Sequence, residues 1–207
     1  MKKISFNFLF ILLFFLTSLS AHSESFDEWK SNFSKYAISQ GVSSETLSLV
    51  VNDLKFLPKV IEYDRFQPEF YEDTATYIGK RANLKKVNIG LKTYKKNKEL
   101  INEVEKKFKV EKELLLSLMG IETNFGKYLG KMDILSSLAT LSYDKRRSEF
   151  FTKELIIALK LIDNKKIKHD ELYGSWAGAF GNFQFMPSTI LNNAIDYNDD
   201  NYSCDYC

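Results

Sequence analysis

The sequence predicts a mainly α domain behind a short export signal. Apolar residues recur at helical spacing along nearly the whole chain, and helix-start and helix-stop chemistry brackets those stretches. No alternating strand run of any length, internal repeat or low-complexity linker interrupts them.

The elements follow in order. Lys2 and Lys3 form a charged start, Phe6 to Leu16 is an almost unbroken apolar run, and small residues follow from Thr17 to Ser23. That run is shorter than the roughly 20 residues a spanning helix needs, so residues 1–23 read as a cleaved secretory signal. Cleavage after Ser20 or Ser23 suits the small residues, and an uncleaved tether is the alternative. No cysteine lies near the site, which excludes lipid attachment there. Ser25 with Glu28 reads as a capping box. Phe26, Trp29, Phe33 and Ala37 then line one face of a helix that Gly41 ends. Thr46 to Leu54 reads as a second, short helix. Leu57-Pro58 and Gln67-Pro68 read as extended or turning, because the position before proline is pushed out of the α region.

Tyr94, Ile101, Val104 and Phe108 fall at helical spacing, with Lys and Glu between them making a wet face. The helix that ends near Glu122 is apolar on all sides at its centre, which predicts a buried element. Phe151, Leu155, Ala158, Leu159 and Ile162 form the stripe of another long helix. Pro187-Ser188 opens a last one through Ile190, Leu191 and Ala194.

Charge narrows the partners. Loss of Lys2 and Lys3 takes Lys+Arg from 29 to 27, against 27 Asp+Glu. A formally neutral mature chain argues against a nucleic-acid partner. Between Lys80 and Lys109, however, basic residues far outnumber Glu99, Glu103 and Glu105. This reads as a solvated helix face, with attraction to an anionic polymer or membrane surface as the alternative. About 184 residues follow the signal, enough for one domain with a real core. Cys204 and Cys207 have a Cys-x-x-Cys spacing but no βαβ context or second ligand pair. They read as incidental, or as paired with each other in an oxidising compartment.

Two stretches carry candidate chemistry. Glu122 lies in Gly120-Ile121-Glu122-Thr123-Asn124-Phe125-Gly126, directly after Leu114 to Met119. A carboxylate in so apolar a setting is expected to be desolvated, with its pKa raised, as a general acid requires. A buried Glu held in a structural network is the equal alternative. The second stretch runs from Gly174 through Ser175, Trp176, Gly178, Phe180, Gly181 and Gln184 to Ser188. Its glycines permit tight turns and close approach to a ligand. Its aromatic faces and the Gln184 amide suit sugar rings and hydroxyls. Alone, such a loop more often means turn geometry and core packing.

Taken together, these stretches and Ala139-Thr140-Leu141-Ser142-Tyr143 with Arg146-Arg147 resemble the lytic murein transglycosylase B family. The likeness runs from about Phe26 to about Asp200, in the right order and at the right spacing. It implies a lysozyme-like, mostly α catalytic domain over residues 24–207. It also implies cleavage of the β-1,4 bond between N-acetylmuramic acid and N-acetylglucosamine in peptidoglycan, leaving a 1,6-anhydromuramyl end. By the same resemblance Glu122 is the single catalytic acid/base, Ser175 and Gln184 line the sugar site, and Tyr77 is a site tyrosine. Glu122 would protonate the glycosidic oxygen, the substrate's N-acetyl oxygen would hold the developing charge, and the muramyl C6 hydroxyl would then attack C1. No metal or organic cofactor is implied. The expected location is the periplasm, without membrane association after signal cleavage, and other cell-wall enzymes are possible partners.

Asp133 is the nearest candidate for a second carboxylate, which would make the enzyme a simple hydrolase, and it reads more simply as a helix cap. Asp196, Asn198 and Asp200 begin like a calcium loop, but Asn201 stands where a glycine is expected and Cys207 where a Glu is expected. The family pattern continues beyond this point, so the domain reads as shortened at its C-terminal end. An inactive protein that binds glycan or a partner enzyme is therefore the alternative function.

Overall fold

In the computed structural model, residues 24–67 and 71–197 are described. Helix α1 (Phe26–Ser39) begins at the capping box: the Ser25 hydroxyl accepts from the Glu28 N–H at 3.2 Å, and the Glu28 carboxylate accepts from the Ser25 N–H at 2.7 Å. It buries Phe33 and Ala37, and Gly41 stops it at a φ of +87°. Helix α2 (Ser44–Val50) continues into a 3-10 turn, Val51–Asp53, where the second short helix is expected.

Leu57 lies outside the α region, with φ −116° and ψ 83°, and Pro58 opens α3 (Pro58–Arg65). The proline marks a helix start here because its fixed φ and missing N–H suit the first helical position. Pro68 lies outside the described residues. Helices α4 (Thr74–Arg81), α5 (Leu84–Lys96), α6 (Lys98–Phe108) and α7 (Lys112–Thr123) follow. Asn97 divides α5 from α6 in the middle of the Tyr94-to-Phe108 pattern, and the Tyr94 hydroxyl donates to Asn102 Oδ1 across that break at 3.1 Å.

Beyond α7 come β1 (Met132–Asp133), α8 (Ile134–Tyr143), α9 (Ser148–Asp163), β2 (Tyr173–Gly174) and α10 (Pro187–Asn193). The two short strands pair antiparallel, Met132 with Gly174 and Asp133 with Tyr173.

The main core forms around α8, which is buried from Ile134 to Ser142. Two of its hydroxyls are engaged from outside the helix. Ser136 Oγ accepts from the Lys55 N–H and Thr140 Oγ1 from the Leu57 N–H, each at 3.0 Å, which fixes the segment between α2 and α3. Against α8 lies α9, with Phe151, Leu155, Ala158, Leu159 and Ile162 all buried, as their stripe predicts. Buried Glu154 accepts from the Ser188 N–H at 2.9 Å, placing a carboxyl group at the start of α10.

Helices α4 to α7 contribute nothing to this core. The expected burial of the Glu122 helix is therefore corrected. Leu114 is 62% exposed, Leu118 37% and Ile121 51%, and only Gly120 and Thr123 of α7 are buried. An all-round apolar pattern states that a helix favours cover without specifying where the cover comes from. Among the described residues α7 is covered chiefly on the side facing α5 and α6.

Two carboxylates lock the core helices together. Asp64, fully buried at the end of α3, receives Arg146 Nη1 at 2.6 Å on one oxygen and Arg147 on the other. Replacing both arginines by methionine strands that carboxylate, and we predict a loss of about 3–5 kcal/mol in denaturant unfolding. Asp64→Asn should lose less, because the arginine side chains are 48% and 40% exposed and can rehydrate.

Asp163, at the end of α9, accepts from the Ser43 hydroxyl at 2.6 Å, the Thr46 hydroxyl at 2.8 Å and the Ser43 N–H at 3.0 Å. The Ser43 and Thr46 hydroxyls hold its carboxyl below the ordinary Asp value. Its contribution is thus complete above that value, about 3.9, and is lost as pH falls through the lowered folded value. Stability measured between pH 7 and pH 2 should show an acid-side decline that is shallower in Asp163→Asn.

Candidate active site

The site begins where α7 ends. Asn124, Phe125 and Gly126 take φ values of 52°, 62° and 78°, so three consecutive left-handed residues reverse the chain immediately after Glu122 and Thr123. Such a conformation is unfavourable for an aromatic residue. Tertiary contacts hold it: the Phe125 N–H returns to Met119 O at 3.1 Å, and the ring fills a notch between α5 and α7. A Cβ on Gly120 would lie 2.7 Å from that ring, so the ring would have to shift, and one on Gly90 would lie 3.0 Å from it, a tight contact. Lys86 reaches across from α5 to Gly120 O at 2.9 Å, putting a cation on a free carbonyl at the α7 C-terminus.

The second stretch folds into a tight loop. The Ser175 N–H donates to Ala179 O at 2.8 Å, and Ser175 Oγ accepts from the Ala179 N–H at 3.0 Å. Phe180 and Phe185 bridge antiparallel, and Gln184 at the turn has a φ of 49°. Three contacts join this loop to the α7 reversal. Thr123 Oγ1 donates to Asn182 O at 2.8 Å, Gly126 lies against the Asn182 side chain, and Gln184 Nε2 donates to Leu129 O at 3.1 Å. Farther along, a Cβ on Gly130 would lie 2.0 Å from Gly174 O. The sequence motifs therefore meet in space.

Glu122 is exposed, so its expected burial is also corrected. The chain around it supplies apolar neighbours on its own helix, Leu115 and Leu118, but no lid among the described residues. Ser175 and Gln184 are half-buried. The Gln184 amide nitrogen is committed to Leu129 O and Gly181 O, while its oxygen accepts nothing among the described residues. The Ser175 hydroxyl hydrogen likewise has no acceptor among them.

Tyr77 is half-buried on α4 beneath the Arg81 guanidinium, 3.7 Å from ring centre to Cζ. No hydrogen bond connects it to Glu122, Ser175 or Gln184 among the described residues. Asp133 caps α8, its Oδ1 accepting from the Ser136 N–H at 2.7 Å, as the cap reading expects. Of the calcium-loop residues, Asn198 and Asp200 lie outside the described residues, as do Cys204, Cys207 and residues 1–23. Among the described residues there is no cluster of three or more metal-ligating side chains, and no helix is long and apolar enough to cross a membrane.

Thr123, Asn182 and Gly126 have structural roles that sequence reasoning did not assign. The glycine spacing signalled turns, but nothing local indicates that a threonine hydroxyl meets a carbonyl some sixty residues later. A separate cleft of about 400 Å3 opens between α5 and α7, lined by Lys86, Gly90, Leu91, Leu116, Gly120 and Phe125. Glu122 is two residues beyond Gly120, about 200° round the helix, and does not line it. The cleft therefore belongs to the opposite side of α7 from the carboxylate.

The mainly α fold thus places one carboxylate at a helix end beside a Gly-aromatic loop. The chain belongs to the family described as Transglycosylase SLT domain, whose model matches residues 25–203. It is 34% identical over 117 residues to membrane-bound lytic murein transglycosylase B of Escherichia coli K12, a match covering 56% of this chain and 32% of that protein. SltB3 of Pseudomonas aeruginosa in complex with NAG-NAM-pentapeptide superposes with a TM-score of 0.83 at 30% identity, over 87% of this chain and 48% of that one. Its complex with NAG-anhNAM-pentapeptide gives a TM-score of 0.82, with the same identity and coverage. The E. coli lytic transglycosylase Slt35 with bulgecin A matches at a TM-score of 0.73 and 28% identity, over 83% of this chain and 55% of that one. The chain thus spans a third to about half of the length of these relatives.

Gly130→Ala should unfold at lower temperature than the wild type. The left-handed backbone at φ 92° alone accounts for about 1–3 kcal/mol, and the contact with Gly174 adds to it. Thermal unfolding followed by circular dichroism measures the shift.

Proposed function

We propose that this chain is a peptidoglycan lytic transglycosylase of cell-wall turnover. In this reading it cleaves the MurNAc-β-1,4-GlcNAc bond and leaves 1,6-anhydro-MurNAc ends. It is exported by a signal over residues 1–23 and acts in the periplasm as a single lysozyme-like domain over residues 24–207. The observation that carries the reading is the junction of the Glu122 helix end with the loop bearing Ser175 and Gln184. Glu122 is the acid/base, and Ser175, Gln184 and Tyr77 hold the sugars. The relatives' complexes with NAG-NAM- and NAG-anhNAM-pentapeptide support both the substrate class and the anhydro product.

The chemistry follows from one carboxyl group. Asp133 Oδ1 is engaged as the α8 cap, which supports a reading in which Glu122 works without a second protein carboxylate. It gives its proton to the glycosidic oxygen as the bond to muramyl C1 breaks. The substrate N-acetyl oxygen supports the charge at C1, as in substrate-assisted glycosidases. Glu122 then takes the proton of the muramyl C6 hydroxyl, whose oxygen bonds to C1. Because nucleophile and electrophile share one sugar, the step is effectively unimolecular. The exposed carboxyl means that the glycan itself has to exclude water from the site. Gln184 Oε1 and the Ser175 hydroxyl are free to meet amide and hydroxyl groups of the sugars.

One observation favours a second reading, glycan binding without cleavage: Glu122 and its neighbours Leu118 and Ile121 are open to solvent. Digestion of purified peptidoglycan, with products identified by mass spectrometry, separates the two. The proposal predicts anhydromuramyl products whose rate falls by roughly 10²-fold or more in Glu122→Gln. Reducing-end products would make the enzyme a hydrolase. A folded chain that sediments with the wall and releases nothing would be a binder.

A further inference from the structure

Thr123 follows the carboxylate and is 1% exposed. Its hydroxyl has one hydrogen and two acceptors in reach, Met119 O at 3.1 Å within α7 and Asn182 O at 2.8 Å in the loop. The same oxygen accepts from the Gly126 N–H at 2.9 Å. A threonine in a helix commonly bonds back to the carbonyl four residues earlier. Here the shorter distance runs outward, across to the other segment.

The surroundings make this hydroxyl the central point of a seam. Thr123, Gly126 and Leu129 meet the loop at three-residue intervals, and all three contacts fall on Asn182 or Gln184. A Cβ on Gly126 would lie 2.6 Å from Asn182 Oδ1, so the two segments approach as closely as a glycine allows. The Thr123 hydroxyl, carried on the last turn of α7, bonds the left-handed reversal and the loop at once. Glu122 precedes it by one residue and Gln184 follows Asn182 by two.

We infer that Thr123 is a positioning residue for the reaction of Glu122. Its buried hydroxyl fixes the carboxylate-bearing turn of α7 against the 181–185 turn, so that Glu122 and Gln184 address the same sugar. This rests on the transglycosylase reading above and deepens it. The hydroxyl takes no proton from the substrate and touches none of the reacting atoms. It acts through the distance between the two segments, and a misplacement of about 1 Å can lower a rate on the order of 10²-fold.

The test uses the full chain as wild type, Thr123→Val, Thr123→Ser and Gly126→Ala. Valine keeps the shape and removes the donated and the accepted hydrogen bond of the hydroxyl, serine keeps the hydroxyl, and the alanine crowds the seam from its other side. On soluble GlcNAc-MurNAc strands, T123V and G126A should lose roughly 10- to 100-fold in kcat with KM little changed, while T123S keeps the wild-type kcat. Amide hydrogen exchange at Gly126 should quicken in T123V and stay slow in T123S, whether or not the chain is active. An unchanged kcat in T123V, an equal loss in T123S, or unchanged exchange at Gly126 overturns the inference. If T123V does not fold, G126A carries the kinetic comparison and T123S the rescue. A wild type that releases no product contradicts the transglycosylase reading instead, and the exchange measurement then decides the seam by itself.

Discussion

Everything at the site depends on two backbone segments passing at contact distance. At Gly130 and Gly174 a single added methyl group would lie 2.0 Å from a carbonyl oxygen. That approach lets β1 and β2 pair, and the pairing starts both α8 and the Gly-aromatic loop from one place. Gly178 presses against Leu138 in the same way and sets the loop on the buried helix. Because α8 is buried from Ile134 to Ser142 and held at Lys55 and Leu57 through its own hydroxyls, the loop rests on a helix of the main core. The Glu122 helix does not. It belongs to the α4–α7 arm outside the main core and meets the loop through Thr123, Gly126 and Leu129. The Glu122 carboxylate and the loop bearing Ser175 and Gln184 are thus joined by a few short contacts.

The helices were legible where their signals are local. The Ser25–Glu28 box, the 155–162 stripe and the proline opening α10 are determined within one or two turns of chain, and each element stands where those signals place it. Pro58 shows the limit: the same residue that ends one conformation begins another, and only the following periodicity distinguishes them. Burial was less legible than helicity. Helices α7 and α8 are both apolar in composition, yet α8 is enclosed and α7 is half open. The difference lies in what packs against them, with Ser136, Ala139 and Thr140 letting neighbours approach α8 closely.

Glu122, Ser175 and Gln184 stand out as candidates from the motifs that hold them, and Tyr77 only from its spacing, but the couplings between those stretches were not legible. Asp64 with Arg146 and Arg147 joins residues more than eighty positions apart, and Thr123 with Asn182 nearly sixty. No periodicity reports such pairs. Left-handed Phe125 was equally hidden, since an aromatic in that conformation is stable only because Gly90 and Gly120 leave room for its ring. The expected desolvation of Glu122 failed for the same reason as the expected burial of its helix: both assumed cover that the described residues do not provide.

The central claim is that a glycan lies on the Glu122 side of α7, across the junction with the 174–186 loop. The apolar cleft between α5 and α7 is the obvious competitor, because it offers a concave apolar surface where the carboxylate is exposed. A crystal structure of the full chain carrying Glu122→Gln with a GlcNAc-MurNAc oligomer bound decides between them. The account predicts a glycosidic oxygen within hydrogen-bond reach of the residue-122 side chain and sugar groups on Ser175 and Gln184. An oligomer seated instead beside Leu91 and Leu116, with residue 122 untouched, would contradict it.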